Sequence, residues 1–291
     1  MSERIRKLAI IGVGLIGGSL ARALHAAGQV DRVVGCGRGE ANLQRAVQLG
    51  VIDAYTHDVG EAVSDADMVF VAVPLGAMRE VFEQMQGHLA DDAVITDGGS
   101  AKGSVIADFY AVCSEHTSRF VPGHPIAGTE HNGVEASFAE LYQNRRVIIT
   151  PTAASSARAV QRVTDMWTVC GAEVVPMGVE HHDRVLAATS HLPHMLAFGL
   201  VDALARMEEH EEIFRYAAGG FRDFTRIASS NPVMWRDICI ANKVALSRMI
   251  SNFATELQAL ADSVEQGDGE RLLEIFQRAK EARDAYVDGT Q

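Results

Sequence analysis

Leu8-Ala9-Ile10-Ile11-Gly12-Val13-Gly14-Leu15-Ile16-Gly17-Gly18-Ser19-Leu20 is the stretch on which the fold turns. Leu8–Ile11 reads as a buried strand, and from Gly14 to Ala27 the apolar spacing is helical. Between them, Gly12, Gly14 and Gly17 make the pattern GxGxxG. Gly12 permits a tight turn, Gly14 lets the backbone approach a pyrophosphate, and Gly17 lets the helix pack close to the sheet. The helix start, at Leu15 and Ile16, offers free N–H groups and a positive dipole end to phosphates. This context predicts a dinucleotide site. Arg4, Arg6 and Lys7 ahead of an apolar run also resemble a secretory leader, but the glycines interrupt that run.

Working outward, short β-rich runs alternate with helical patterns. Arg32–Gly35, Met68–Val73, Ala93–Thr96, Arg119–Val121, Val147–Thr150 and Glu173–Val175 read as strands. Glu40–Leu49, Gly76–His88, Ser104–Glu115 and Ser155–Cys170 read as helices. The alternation predicts a doubly wound, Rossmann-type α/β domain over residues 1–177. Beyond Gly178 the periodicity is helical throughout: Val179–Met207, Glu211–Tyr216, Pro232–Gln266 and Glu270–Tyr286. An all-helical domain over 178–291, used for substrate binding and self-association, is expected.

The formal charge of −12, from 26 basic and 38 acidic residues, argues against nucleic acid or an anionic membrane as partner. No run reaches the roughly 18–20 apolar residues of a membrane span. Cys36, Cys113, Cys170 and Cys239 form no CxxC pair, which suits reduced thiols in a cytoplasmic protein rather than a disulfide framework or a metal site. Lysine is limited to Lys7, Lys102, Lys243 and Lys280.

The second strand ends in Gly35-Cys36-Gly37-Arg38. An acid there would read the ribose hydroxyls and favour NAD. Gly37 removes the carboxylate that would repel a 2′-phosphate, and Arg38 is placed to pair with one, so NADP is expected to be accepted beside NAD. Val73 and Pro74, at another strand end, are expected to line the cofactor cleft.

Three polar clusters interrupt the apolar pattern: Asp97–Lys102, Gly123–Glu130, and a pair in the helical half, Ser190–His194 with Gly219–Arg226. Singly, each has an ordinary reading. A histidine between Gly123 and Pro125 suits a turn, Asp223 and Arg226 suit a structural ion pair, and His181–His182 suit a solvated face. Together they suit hydride transfer. Neutral His124 would take the proton of an alcohol, Ser100 would orient it, and an arginine and a histidine from the helical half would hold carboxylates.

Gly-His-Pro-Ile-Ala-Gly-Thr-Glu (Gly123–Glu130), Ser-His-Leu-Pro-His (Ser190–His194), Gly-Gly-Phe-Arg-Asp-Phe-Thr-Arg-Ile-Ala (Gly219–Ala228) and Asn-Pro-Val-Met-Trp-Arg-Asp (Asn231–Asp237) closely resemble the prephenate/arogenate (cyclohexadienyl) dehydrogenases of tyrosine biosynthesis. The resemblance runs in order from Arg6 to Tyr286. It implies oxidative decarboxylation of prephenate or arogenate, with His124 accepting from the ring hydroxyl and Ser100 assisting. It also implies Arg226 on a substrate carboxylate, His194 near the side chain, Glu130 and Asp223 as polar supports, and a homodimer built through the helical half. The chain shows neither a chorismate mutase segment nor a regulatory extension, so a monofunctional enzyme is expected. A β-hydroxyacid dehydrogenase would need a helical-domain lysine in a glycine-rich helix, a context that Lys243 and Lys280 lack. A nucleotide sensor would have no use for His124.

Overall fold

A computed structural model describes residues 3–129 and 131–288; Glu130 lies outside the described residues. By its contacts the chain divides into two units, Met1–Lys243 and Val244–Gln291.

In the first unit, β1 (Ile5–Ile11) lies at the centre of a parallel sheet, between β2 (Val30–Cys36) and β4 (Met68–Val71). With β3 (Ala54–Thr56), β5 (Val94–Asp97) and β6 (Phe120–Val121) the order is β3-β2-β1-β4-β5-β6. The chain winds outward from β1 to β3, then resumes on the other side with β4, so strand order reverses at β1/β4. In such sheets ligands bind outside the carboxyl ends of the strands at that reversal. The connecting helices are α1 (Leu15–Ala26), α2 (Glu40–Gln48), α3 (Val59–Val63), α4 (Met78–Met85) and α5 (Gly103–Val112), with α6 (Ala157–Val169) following β8 below. Successive side chains of β1 and β4 point to opposite faces. Leu8, Ile10, Met68 and Phe70 join one core, while Ala9, Ile11, Val69 and Val71 join another. Burial on both faces is why these strands read as unbroken apolar runs.

Val147–Thr150 and Glu173–Val175 are strands, but they do not extend the parallel sheet. They lie in β8 (Arg146–Ile149) and β9 (Glu173–Pro176), which form a separate sheet with β7 (Gly123–Pro125), in the order β7-β8-β9. β7 runs antiparallel to β8, pairing His124 with Ile148. The segment that reads as a turn is therefore an edge strand, where proline costs no ladder hydrogen bond.

After β9 come α7 (Val179–Leu186), a π-helical segment (Ala187–His191), α8 (Leu192–Ala205), α9 (His210–Arg215), α10 (Gly219–Thr225) and α11 (Pro232–Ala241). The helical run expected over Val179–Met207 is thus continuous from Val179 to Ala205 with a π-helical turn inside it, and Pro193 falls in the first turn of α8, where its missing N–H is harmless. Pro232–Gln266, by contrast, breaks at Asn242, the C-cap of α11.

The second unit carries α13 (Gly269–Asp288) and, from Val244 onward, α12 (Lys243–Gln266). Val264, Leu273 and Phe276 on these helices are each more than half exposed. Among the described residues, no helix is long and apolar enough to cross a membrane.

Candidate active site

The glycine turn has the form a dinucleotide requires. Gly12 has φ +101°, and a Cβ there would lie 2.4 Å from the Ala72 carbonyl oxygen. A Cβ at Gly17 would lie 2.3 Å from the Gly12 oxygen and 2.7 Å from the Ile10 side chain. These two glycines bring β1, the start of α1 and the end of β4 into contact. Gly14 differs: nothing lies within 4 Å of its Cβ position. It is the N-cap of α1 and no side chain caps the helix, so the first N–H groups, those of Leu15 and Ile16 among them, lack a side-chain acceptor. Open space against bare N–H groups fits a pyrophosphate. Val73 and Pro74 follow β4 at the same edge. A Cβ at Gly76 would meet Asp237 Oδ2 at 2.6 Å, so α11 closes down on the turn just beyond.

At the end of β2, Arg38 is exposed and makes no hydrogen bond or ion pair with another described residue. The nearby acid is Glu40, whose carboxylate accepts from Tyr55 Oη at 2.6 Å and Gln44 Nε2 at 2.7 Å and meets His57 Nε2 at 2.6 Å. The bond from Tyr55, then that from His57, holds this carboxyl below the usual range, and the pairing with Glu40 raises His57.

His124 sits on β7 at the carboxyl end of β5. The backbone of Gly123, the residue before it, is clamped by a buried ion pair. Asp97 Oδ1 accepts from the Gly123 N–H at 3.1 Å, Asp97 Oδ2 pairs with Lys102, and Lys102 Nζ donates to the Gly123 carbonyl at 2.6 Å. The His124 ring is almost fully buried, and its Nδ1 lies 2.9 Å from His182 Nε2. His182 Nδ1 in turn lies 2.8 Å from Asp183 Oδ1. Asp183 also accepts the N–H groups of Lys102 (2.8 Å) and Gly103 (2.9 Å), at the start of α5. Burial, then the positive fields of Lys102 and the neighbouring histidines, pushes the His124 pKa well below that of an ordinary histidine. The ring is therefore neutral at physiological pH and able to accept a proton.

The solvated face expected for His181–His182 holds for His181 alone. His182 is completely buried. The signal was in the spacing: Val179, His182 and Leu186 share one helical face, and that face packs inward. Sequence reasoning also passed over Asp183 and Asn242, and it marked the Asp97–Lys102 cluster without the ion pair at its ends. The Asn242 amide donates to the Asp183 backbone carbonyl at 2.8 Å and lies 3.1 Å from His191 Nδ1.

From the helical segments, His194 stacks on Trp235 with ring centroids 3.5 Å apart, and its Nδ1 donates to the Ser190 carbonyl. Burial lowers the His194 pKa, and the charge of Arg226 lowers it further; the turn that carries Arg226 packs against α8. Arg226 and Asp223 are both exposed, and the ion pair expected between them is not formed. Each is free to meet a ligand. Ser100 is half-buried and makes no hydrogen bond with another described residue. Two residues before it, the Cβ position of Gly98 is 3.5 Å from the Ile16 side chain, so this loop approaches the start of α1.

An open, uncapped helix start at the point of strand reversal, and a histidine held neutral at a neighbouring strand end, are what a nicotinamide-dinucleotide dehydrogenase requires. That is the class of protein the fold and site define. Residues 20–176 match the family described as "Prephenate dehydrogenase, nucleotide-binding domain", and residues 178–278 match "Prephenate dehydrogenase, dimerization domain". The glycine turn precedes the first matched range. A cyclohexadienyl dehydrogenase of Zymomonas mobilis is 41% identical over 96% of this chain and 95% of its own length. A prephenate dehydrogenase of Bacillus subtilis is 34% identical over 98% of this chain and 77% of its own. The crystal structure of prephenate dehydrogenase from Aquifex aeolicus with hydroxyphenyl propionate and NAD+ superposes with a TM-score of 0.91 at 37% identity, covering 97% of this chain and 99% of that one. The chain belongs to the prephenate dehydrogenase family of NAD(P)-dependent oxidoreductases.

Proposed function

We propose that this chain oxidatively decarboxylates prephenate, arogenate or both, with His124 as the acceptor for the ring hydroxyl proton. The observation that carries the assignment is the near-complete burial of the His124 ring at a strand end, with its Nδ1 engaged at 2.9 Å by His182 Nε2. A nicotinamide bound beyond the glycine turn supplies the hydride acceptor. His124 takes the hydroxyl proton as the C–O bond gains double-bond character and returns it to the phenolic oxygen when loss of CO₂ aromatises the ring. No net proton leaves, so a base buried away from water suffices. Ser100 orients the hydroxyl. Arg226 holds a substrate carboxylate, with His194 beside it and Asp223 and Glu130 as polar supports.

Residues 1–177 bind the dinucleotide, and residues 178–291 bind substrate and pair the subunits. Homodimerisation is supported by the exposed Val264, Leu273 and Phe276 on α12 and α13. NADP is proposed as an accepted cofactor beside NAD. Unpaired Arg38, no acid at Gly37, and a Glu40 carboxylate engaged by three partners all support that. The cytoplasm is the proposed compartment. Four free cysteines support it, with burial raising the Cys36 and Cys113 thiols to about 11 and Cys170 to about 12.

The test is His124→Asn. Loss of a positioned base should lower kcat by about 10²–10⁴-fold while a product analogue still binds. An unchanged kcat removes His124 from the mechanism.

A further inference from the structure

We propose that Asp183 and His182 are positioning residues for the reaction, forming a polar chain that fixes which nitrogen of His124 faces the substrate. This rests on the role given to His124 above. The direction of the chain follows from donor counting. An ionised carboxylate only accepts, so the contact from Asp183 Oδ1 to His182 Nδ1 at 2.8 Å puts the hydrogen on Nδ1. His182, when neutral, then has a bare Nε2 that must accept from its partner at 2.9 Å, which is His124 Nδ1. His124 is left with a bare Nε2. One carboxylate three groups away thus sets the tautomer of the base.

The anchor is built for this. Asp183 is tied by the N–H groups of Lys102 and Gly103 at the start of α5, and Asn242 holds its backbone carbonyl. Burial alone would raise the Asp183 carboxyl, but the bonds from His182 and from those N–H groups outweigh it and keep it below the usual range. The groups facing this chain are Lys102 with its partner Asp97, and His191 from the π-helical segment. Lys102 disfavours a positive charge on His124, so the Asp183 carboxylate is the anion placed to offset an imidazolium. When Nε2 takes the substrate proton, the Nδ1 proton can pass to His182 Nε2. That leaves His124 neutral and an imidazolium against Asp183, and the transfer reverses as the phenolic oxygen is reprotonated. The second transfer follows the contact between His124 Nδ1 and His182 Nε2, and no proton is lost.

The experiment compares wild type, His182→Phe, Asp183→Asn and Asp183→Glu. His182→Phe keeps ring volume and leaves the backbone bonds of Asp183 intact. Both His182→Phe and Asp183→Asn should lose about 10- to 10³-fold in kcat, with KM for substrate and nicotinamide within about threefold. Asp183→Glu should recover part of the loss. In Asp183→Asn the acid limb of the kcat/KM profile should move to lower pH, because the anion that favours imidazolium is gone. Nitrogen-15 spectra should report the Nδ1–H tautomer of His124 in wild type and a mixture in His182→Phe. A kcat within threefold of wild type in both loss variants, or an unchanged tautomer in His182→Phe, overturns the proposal. A wild type inactive on every cyclohexadienyl substrate overturns instead the reading on which it rests.

Discussion

Lys102→Met should cost more stability than any single surface change, and Asp97→Asn should restore part of it. Both side chains of the Lys102–Asp97 pair are completely buried. Removing one member of a buried pair leaves an uncompensated charge, at a typical cost of about 3–5 kcal/mol. Asp97 would retain the N–H groups of Gly99 (2.8 Å) and Gly123 (3.1 Å), which favours the lower end of that range. A loss of about 3 kcal/mol corresponds to a fall of about 6–12 °C in Tm for a chain of this size. Asp97→Asn/Lys102→Met carries no buried charge and should recover at least about 1.5 kcal/mol relative to Lys102→Met, because the uncompensated charge is gone. Urea unfolding of the two singles and the double, followed by circular dichroism, reads this directly. A Lys102→Met protein within about 1 kcal/mol of wild type, or a double no more stable than that single, would mean that the Lys102–Asp97 pair does not clamp the strand behind His124.

Arg226→Ala should raise the substrate KM by about ten- to a hundredfold, the equivalent of one charged hydrogen bond at about 1.5–3 kcal/mol, with a smaller effect on kcat; an unmoved KM makes Arg226 structural. Arg38→Ala should raise KM for NADP by about tenfold and leave KM for NAD within about twofold, and equal effects on both would defeat that assignment. His191 is buried, its Nε2 has no partner among the described residues, and burial pulls its pKa from 6.5 to about 4. The folded state therefore resists a proton that the unfolded chain accepts near 6.5. Stability is full above that pH and falls as pH drops toward about 4, by up to about 3 kcal/mol from this group. His191→Gln should flatten that fall in denaturation curves taken at pH 7 and pH 4.5, and an unchanged slope would contradict the prediction.

The Rossmann-type half was legible because both faces of its sheet are buried and because glycine geometry is local. Gly12 and Gly17 need no distant information to be understood. The same locality explains the misses. β7 pairs with residues some two dozen positions away, and its Gly and Pro neighbours speak for a turn when read alone. His182 and Asp183 gain meaning only once α7 lies against the start of α5, a contact spanning about 80 positions. His124, His194 and Arg226 were legible through family motifs, and the fold adds which of them are buried. The missing ion pair between Asp223 and Arg226 shows the limit of spacing. An i, i+3 separation permits a bridge, but both side chains lie exposed at the junction of α10 with the following turn.

Nicotinamide reduction, followed with prephenate or arogenate and each with NAD or NADP, decides whether the chain is a cyclohexadienyl dehydrogenase. Turnover is expected in at least one of the four mixtures, with CO₂ released in equal amount to reduced nicotinamide. Folded protein that binds dinucleotide yet reduces none in any of the four would contradict it.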